Sequence, residues 1–174
     1  MSRRQRFDAF VLPHLDAAYN LARWLLRDER AAEDALQEAS LRAFRYLDSL
    51  RSGDARPWLL GIVRNTCFSA LERSRQAPEQ VDFDDAEFEA ALAAPAADDP
   101  AARLQQRRLQ TRVDAAIRAL SPPLREVIVL REFEELDYAQ IASICAVPVG
   151  TVMSRLSRAR DKLRIALAST RQGE

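Results

Sequence analysis

Near the C-terminus of this 174-residue chain, Ser154, Arg155, Ser157 and Arg158 follow closely on Pro148. At the start of a helix, hydroxyls and guanidinium groups in that spacing can meet base edges in a DNA groove. Arg160, Lys162 and Arg164 add cations that can reach phosphates. From Thr151 to the end the chain carries six bases against two acids. A local surplus of this kind suits a polyphosphate, although a solvated helix face has the same composition. Other chemistries find no support. Cys67 and Cys145 lie 78 residues apart without a CxxC, and the single His14 leaves no cluster of metal-ligand type. There is no Gly-rich phosphate loop and no nucleophile elbow, so neither an enzyme nor a bound metal or cofactor is expected. The two cysteines read most simply as small core residues, with redox sensing as the open alternative.

The elements that must position the basic residues can be read from local signals. In the tract LDYAQIASICAVPVGTVMSRLSRARDKL, Asp137 can cap a helix whose third residue, Gln140, reaches back in a capping box. Ile141 and Ile144 would face inward. Ala146-Val147 makes a tight turn, and Pro148 sets the backbone for a second helix whose inward residues are Val152, Leu156 and Leu163. This is the grammar of a helix-turn-helix, with the second helix as the reader. An L-residue such as Ala146 is costly in a left-handed turn, so a right-handed turn is expected there.

The rest of the chain also reads as helix, with no alternating run long enough for a sheet. Phe7, Phe10, Val11, Leu15, Ala18, Leu21, Ala22 and Leu25 form one stripe. Leu36, Ala39, Ala43, Phe44 and Leu47 form a second, after the acidic start Glu33-Asp34. SLRSGDAR breaks the pattern, and Pro57 fits the first position of a third helix carrying Leu59, Ile62, Val63 and Leu71 and ending near Arg75. Trp58 falls on that apolar stripe and reads as core. Leu109, Val113, Ile117 and Leu120 mark a further helix stopped by Ser121-Pro122-Pro123, and a short one runs from Leu124 to about Phe133.

The zero net charge conceals a division. Residues 1–75 sum to +3, residues 76–102 to −8 with no base at all, and residues 103–174 to +5. With Pro78, Pro95, Pro100 and few large apolar residues, 76–102 is expected to be an acidic flexible linker. It would join two small helical domains, 1–75 and 103–174, free to move independently unless a partner clamps them. The fold class is therefore all-α. No apolar run reaches membrane-spanning length, and the N-terminus has no signal-peptide core, which leads to the expectation of a cytoplasmic protein.

Three tracts occur in a telling order: Ala32-Glu33-Asp34-Ala35-Leu36-Gln37-Glu38; Trp58-Leu59 with Ile62 and Asn65; and Gly150-Thr151-Val152 with Ser154-Arg155 and Arg158-Ala159-Arg160. Together they resemble a bacterial sigma factor of the extracytoplasmic-function (ECF) group of the sigma-70 family, over nearly the whole chain except 76–102. The resemblance implies that 1–75 is region 2, which binds the polymerase and melts the minus-10 element, and that 103–174 is region 4, which reads the minus-35 element. The implied partners are core RNA polymerase, through its beta-prime clamp helices and beta flap, promoter DNA and an anti-sigma factor.

By the same resemblance, Asp34, Gln37 and Glu38 face the clamp helices. Asn65 lies near the pocket for an extruded base, and the loop from Leu50 to Arg56 reads that base, so that Arg51, Ser52, Asp54, Arg56, Arg64 and Asn65 form the minus-10 set. Thr151, Met153, Ser154, Arg155, Ser157 and Arg158 form the minus-35 set. Met153 departs from the Lys or Arg common in the family, which implies one fewer polar contact, and Ala146 stands where a turn Gly is frequent. A two-domain helix-turn-helix regulator without a polymerase role shares the C-terminal motif, but a sensory receiver domain would need strands. A helical adaptor binding protein alone is the third reading.

Overall fold

The computed structural model describes residues 1–51, 53–76 and 99–169. Most of the acidic stretch expected to link two domains, and Ser52, lie outside the described residues. Among the described residues there is no strand.

Helix α1 (Arg3–Phe10) opens on a capping box, with the Gln5 amide N–H donating to Ser2 Oγ and the Ser2 N–H to Gln5 Oε1. The first apolar stripe does not run on as one helix. Pro13 has no N–H to give to a carbonyl four residues back, and Leu12–His14 tightens into a 3-10 turn before α2 (Leu15–Leu26). Asp28 caps α3 (Glu29–Arg45). The inward face of α3 is a seam of four alanines, Ala32, Ala35, Ala39 and Ala43. Such small side chains let α2 and α4 approach closely. Phe44, expected inside, is instead 40% exposed and meets Phe7 edge-on.

Asp54 accepts from the Arg56 N–H at 3.0 Å, so α4 (Ala55–Gln76) starts two residues earlier than Pro57 suggested. A proline is still tolerated there, because N–H groups of the first turn have no intrahelical partner. Leu21, Leu25, Leu59, Leu60 and Val63 close the core of this first bundle.

In the second half, Asp99 caps α5 (Pro100–Arg118), so that residues 100–102 are helical and not part of a linker. Helix α6 (Pro122–Ile128) continues into a π turn over Val129–Phe133, and α7 (Tyr138–Cys145) and α8 (Val149–Ala168) follow. The capping box of Asp137 and Gln140 is present, with bonds of 2.8 and 3.0 Å. The turn between α7 and α8 is left-handed, against expectation: Ala146 has φ 55° and ψ 46°. Its N–H closes α7 on the carbonyls of Ala142 and Ser143, and those bonds offset part of the steric cost.

The halves are not independent in this structure. Helix α7 packs on α4 and α6 on α2, and the buried apolar residues form one continuous core across both. Trp24 of α2 stacks on Phe133 with ring centroids 5.3 Å apart. Arg125, 2% exposed, donates to the carbonyls of Arg118 and Leu120 in its own half and to that of Leu25 across the boundary, at 2.9, 2.8 and 3.0 Å. Burial, helped by the nearby Arg27 charge, pulls its pKa down to about 10, and it stays charged at neutral pH among these carbonyls.

Candidate nucleic-acid and polymerase interface

Helix α8 turns Val152, Leu156 and Ala159 into the core, each no more than 1% exposed. The opposite face, at its N-terminal half, presents Met153, Ser154, Ser157 and Arg158 to solvent. Arg158 makes no ion pair among the described residues, so its guanidinium is available. Thr151 is half-buried and accepts the Ser154 hydroxyl on its carbonyl at 3.1 Å. Arg155 is half-buried and turned toward α6, with Nη1 3.9 Å from the fully buried Glu126 carboxylate. Of the expected phosphate contacts, Arg160 pairs with Glu132 at 3.0 Å, a bond that raises its pKa, and Arg164 pairs with Asp161 at 2.6 Å.

The residues expected at the minus-10 element divide into two groups. Arg51, Asp54 and Asn65 are exposed, although the Asp54 carboxylate is engaged in capping α4. Arg56 and Arg64 are not free. Arg56 Nη2 donates to the Glu134 carboxylate at 2.6 Å and to the Glu134 carbonyl at 2.5 Å. Arg64 grips Glu126 with two parallel bonds, Nε at 2.8 Å and Nη2 at 3.2 Å, and lies over the Phe68 ring at 4.0 Å. Burial pulls its pKa down, the bond and charge of Glu126 push it up, and the net direction is upward.

The segment leading into this site is stapled from the N-terminus. Arg3 and Arg6 both pair with Asp48, Arg6 also donates to the Leu47 carbonyl, and the Trp58 indole N–H reaches Ser49 Oγ at 3.3 Å. Trp58 is thus half-buried with its polar edge used, and not a fully enclosed core residue.

On α3, Asp34 and Gln37 are exposed, whereas Glu38 is half-buried between Arg42 at 2.6 Å and Arg73 at 3.8 Å. Leu41, 70% exposed, falls one turn beyond Gln37 on the same face. It lies off the inward stripe, and an exposed leucine in that position is itself a signal of a docking face. Glu126 and Glu134 carry no such local signal, since they meet their arginines 62 and 78 residues away in sequence.

Both cysteines are buried and unpaired. Burial pushes each thiol up to about 12, with Glu126 adding to the effect at Cys145, so neither is primed for oxidation near neutral pH. No group of three metal-ligating side chains occurs among the described residues. No single described helix is long and apolar enough to cross a membrane.

The profile of Sigma-70 region 2 matches residues 10–77, and that of Sigma-70 region 4 matches residues 110–163. The RNA polymerase sigma-H factor of Pseudomonas aeruginosa is 35% identical over 168 residues, covering 94% of this chain and 87% of that protein. The ECF RNA polymerase sigma-E factor of Escherichia coli is 37% identical over 134 residues, covering 75% and 70%. The chain belongs to the ECF sigma factors of the sigma-70 family. Among solved structures, the sigma factor RpoE in complex with the anti-sigma factor NepR, from Bartonella quintana, matches this sigma factor with a TM-score of 0.68 at 30% identity, over 93% of this chain and 96% of that one. CnrH, solved with the cytosolic domain of CnrY, shares the fold, with a TM-score of 0.64 at 24% identity over 94% and 88%. Region 2 of the sigma factor thus takes in α2 to α4, and region 4 runs from within α5 into α8.

Proposed function

We propose that this sigma factor divides its work among three surfaces. The exposed side of α3, with Asp34, Gln37 and Glu38 and extended by Leu41, docks on the beta-prime clamp helices of core polymerase. Arg51, Ser52, Asp54, Arg56, Arg64 and Asn65 hold the melted minus-10 element, and the outer face of α8 reads the minus-35 element through Met153, Ser154, Ser157 and Arg158. Thr151 and Arg155 belong to the same set, with Arg155 leaning toward Glu126 at the edge of that face. Residues 1–75 and 103–174 act as the two working domains.

The observation that carries this reading is α8 itself. Its packed side is locked by Val152, Leu156 and Ala159, so the exposed serines and Arg158 project from a fixed platform, as base reading requires. The factor performs no catalysis of its own and works in the cytoplasm, where polymerase and promoters are. An anti-sigma protein, like the one bound to the Bartonella relative, holds it in check.

Run-off transcription with purified core polymerase on genomic fragments tests the whole reading, with initiation at discrete sites as the expected result. Charge reversal at Asp34 and Glu38 together should weaken association with core polymerase while leaving the helical circular dichroism intact, because neither side chain belongs to the alanine seam. Undiminished association would remove α3 from the docking surface.

A further inference from the structure

Helix α1 contributes no fully buried residue, yet it sends two arginines to a single place, the 3-10 turn Leu47–Ser49 that follows α3. Each residue of that turn is held by a different part of the fold. Leu47 is fully buried in the bundle core. Asp48 takes Arg3 on one carboxylate oxygen and Arg6 on the other, the latter at 3.0 Å, and Arg6 also donates to the Leu47 carbonyl at 3.5 Å. Ser49 Oγ donates to the Tyr46 carbonyl at 2.6 Å and accepts the Trp58 indole N–H of α4 at 3.3 Å, so the hydroxyl is used in both directions. Phe7 meets Phe44 edge-on and Arg3 lies over the same ring, which seats α1 on α3.

The turn leads directly into the loop assigned above to the extruded minus-10 base. The Leu50 N–H closes the turn on the Leu47 carbonyl at 3.2 Å, and Asp54 caps α4 at the far end. Residues 51–53 alone join these anchors, and three residues reach roughly 10 Å at full extension. A displaced turn therefore moves the loop with it. Reading a base requires contacting groups held to within about 0.5 Å. The Asp48 side chain is 66% exposed, and ion pairs in such a setting add little to global stability. What they fix is where the turn sits.

We propose that Arg3, Arg6 and Asp48, with Trp58 on the opposite side, are positioning residues for the minus-10 loop, so that α1 sharpens base discrimination there without touching DNA. The proposal rests on the assignment of that loop and Asn65 to the minus-10 base. The region 2 profile begins at residue 10, so Arg3 and Arg6 act from ahead of the matched segment.

The test uses holoenzyme reconstituted from core polymerase and the full-length chain. The probe is a pre-melted bubble template from a mapped promoter of this sigma factor, with each of the four bases in turn at the extruded minus-10 position. Discrimination is the affinity for the favoured base divided by that for the other three. Asp48→Asn, the pair Arg3→Gln with Arg6→Gln, and the uncharged change Trp58→Phe should each lower it by about fivefold or more. Asp8→Asn, exposed on α1, removes the same charge as Asp48→Asn away from the turn and should leave discrimination within about twofold of the parent. Exchanging the charges, Asp48→Arg with Arg6→Asp, should restore most of it. Melting temperatures of the Asp48 and arginine variants should stay within about 2 °C of the parent.

Parent-like discrimination in Asp48→Asn and in the double arginine variant would refute the positioning role. So would a fall that accompanies a large loss of melting temperature and is not restored by the exchanged pair, which is general loosening. Were Arg3 and Arg6 instead phosphate contacts, Asp48→Asn would tighten binding to all four templates alike and the double arginine variant would weaken all four alike, and the proposal would fall. Arg51→Ala combined with Asn65→Ala tests the underlying assignment. If that chain keeps the parent's discrimination, the assignment falls and the proposal with it. If it loses discrimination while the Asp48 and arginine variants keep theirs, the assignment stands and the positioning alone is wrong.

Discussion

Ala146 is the residue where local chemistry and the fold are most at odds. Its φ of 55° costs an alanine roughly 1–2 kcal/mol relative to the right-handed region, and its methyl group is exposed, so nothing is gained from burying it. Glycine escapes that cost but gives up about 0.5–1 kcal/mol of chain entropy on folding. Ala146→Gly should therefore stabilise the protein by about 0.5–1 kcal/mol, visible as a rise of about 1–4 °C in Tm. An unchanged or lowered Tm would show that the unfolded-state entropy outweighs the relief. Arg155 gives the complementary case. Its place in the chain suggests a DNA contact, and its side chain also comes within 3.9 Å of Glu126, because the start of α8 is stacked against α6 and one side of every turn must face that helix.

Helices α7 and α8 were legible in the sequence because their determinants are local. Asp137 and Gln140 are three residues apart and need no tertiary partner to form their two bonds. Asp137→Ala should cost about 0.5–2 kcal/mol, measured by urea unfolding, and should weaken duplex binding because α7 sets the seat of α8. A loss of stability with duplex affinity intact would mean that α8 holds its position without α7. Elsewhere the same kind of reading went astray for definable reasons. The apolar stripe from Phe7 to Leu25 keeps its period across Pro13, so periodicity alone joined two helices that a missing N–H divides. Pro57 suggested a helix start because it is favoured in the first turn, but Asp54 supplies an actual cap and fixes the boundary two residues earlier. Glu126 and Glu134 carry no sequence signal at all. An acid in a short helix or turn becomes informative only when the fold brings an arginine to it.

For the whole molecule, the charge division between a basic start, an acidic middle and a basic end suggests two halves, but gives no hint that they share a core. Arg125, the Trp24–Phe133 stack and the pairs Arg56–Glu134 and Arg64–Glu126 all cross between them, and each depends on surface shape, which composition does not encode. Across both halves, the two DNA surfaces should fail differently. Arg158→Ala should weaken minus-35 duplex binding by about 1–3 kcal/mol if it contacts a base edge, or lower the salt dependence by about one unit if it contacts a phosphate. Asn65→Ala should spare duplex binding and impair opening, since extruding a base costs a few kcal/mol that a polar pocket helps offset. A template with a pre-melted bubble should rescue the Asn65 variant and not the Arg158 variant in permanganate footprinting. Equal rescue of both would assign melting and anchoring to the wrong residues.

The alanine seam of α3 governs more than packing. Ala32, Ala35, Ala39 and Ala43 alternate along one helix with Asp34, Gln37 and Glu38, so the height of the outer face above the bundle is set by the smallest side chains beneath it. A larger residue in the seam would lift the whole helix like a shim under a rail, carrying the outer residues out of register while leaving each of them chemically untouched. An outward residue can be replaced without moving the helix, and an inward one cannot. In this helix, the freedom of the surface to vary in composition depends on the strictness of the layer below it.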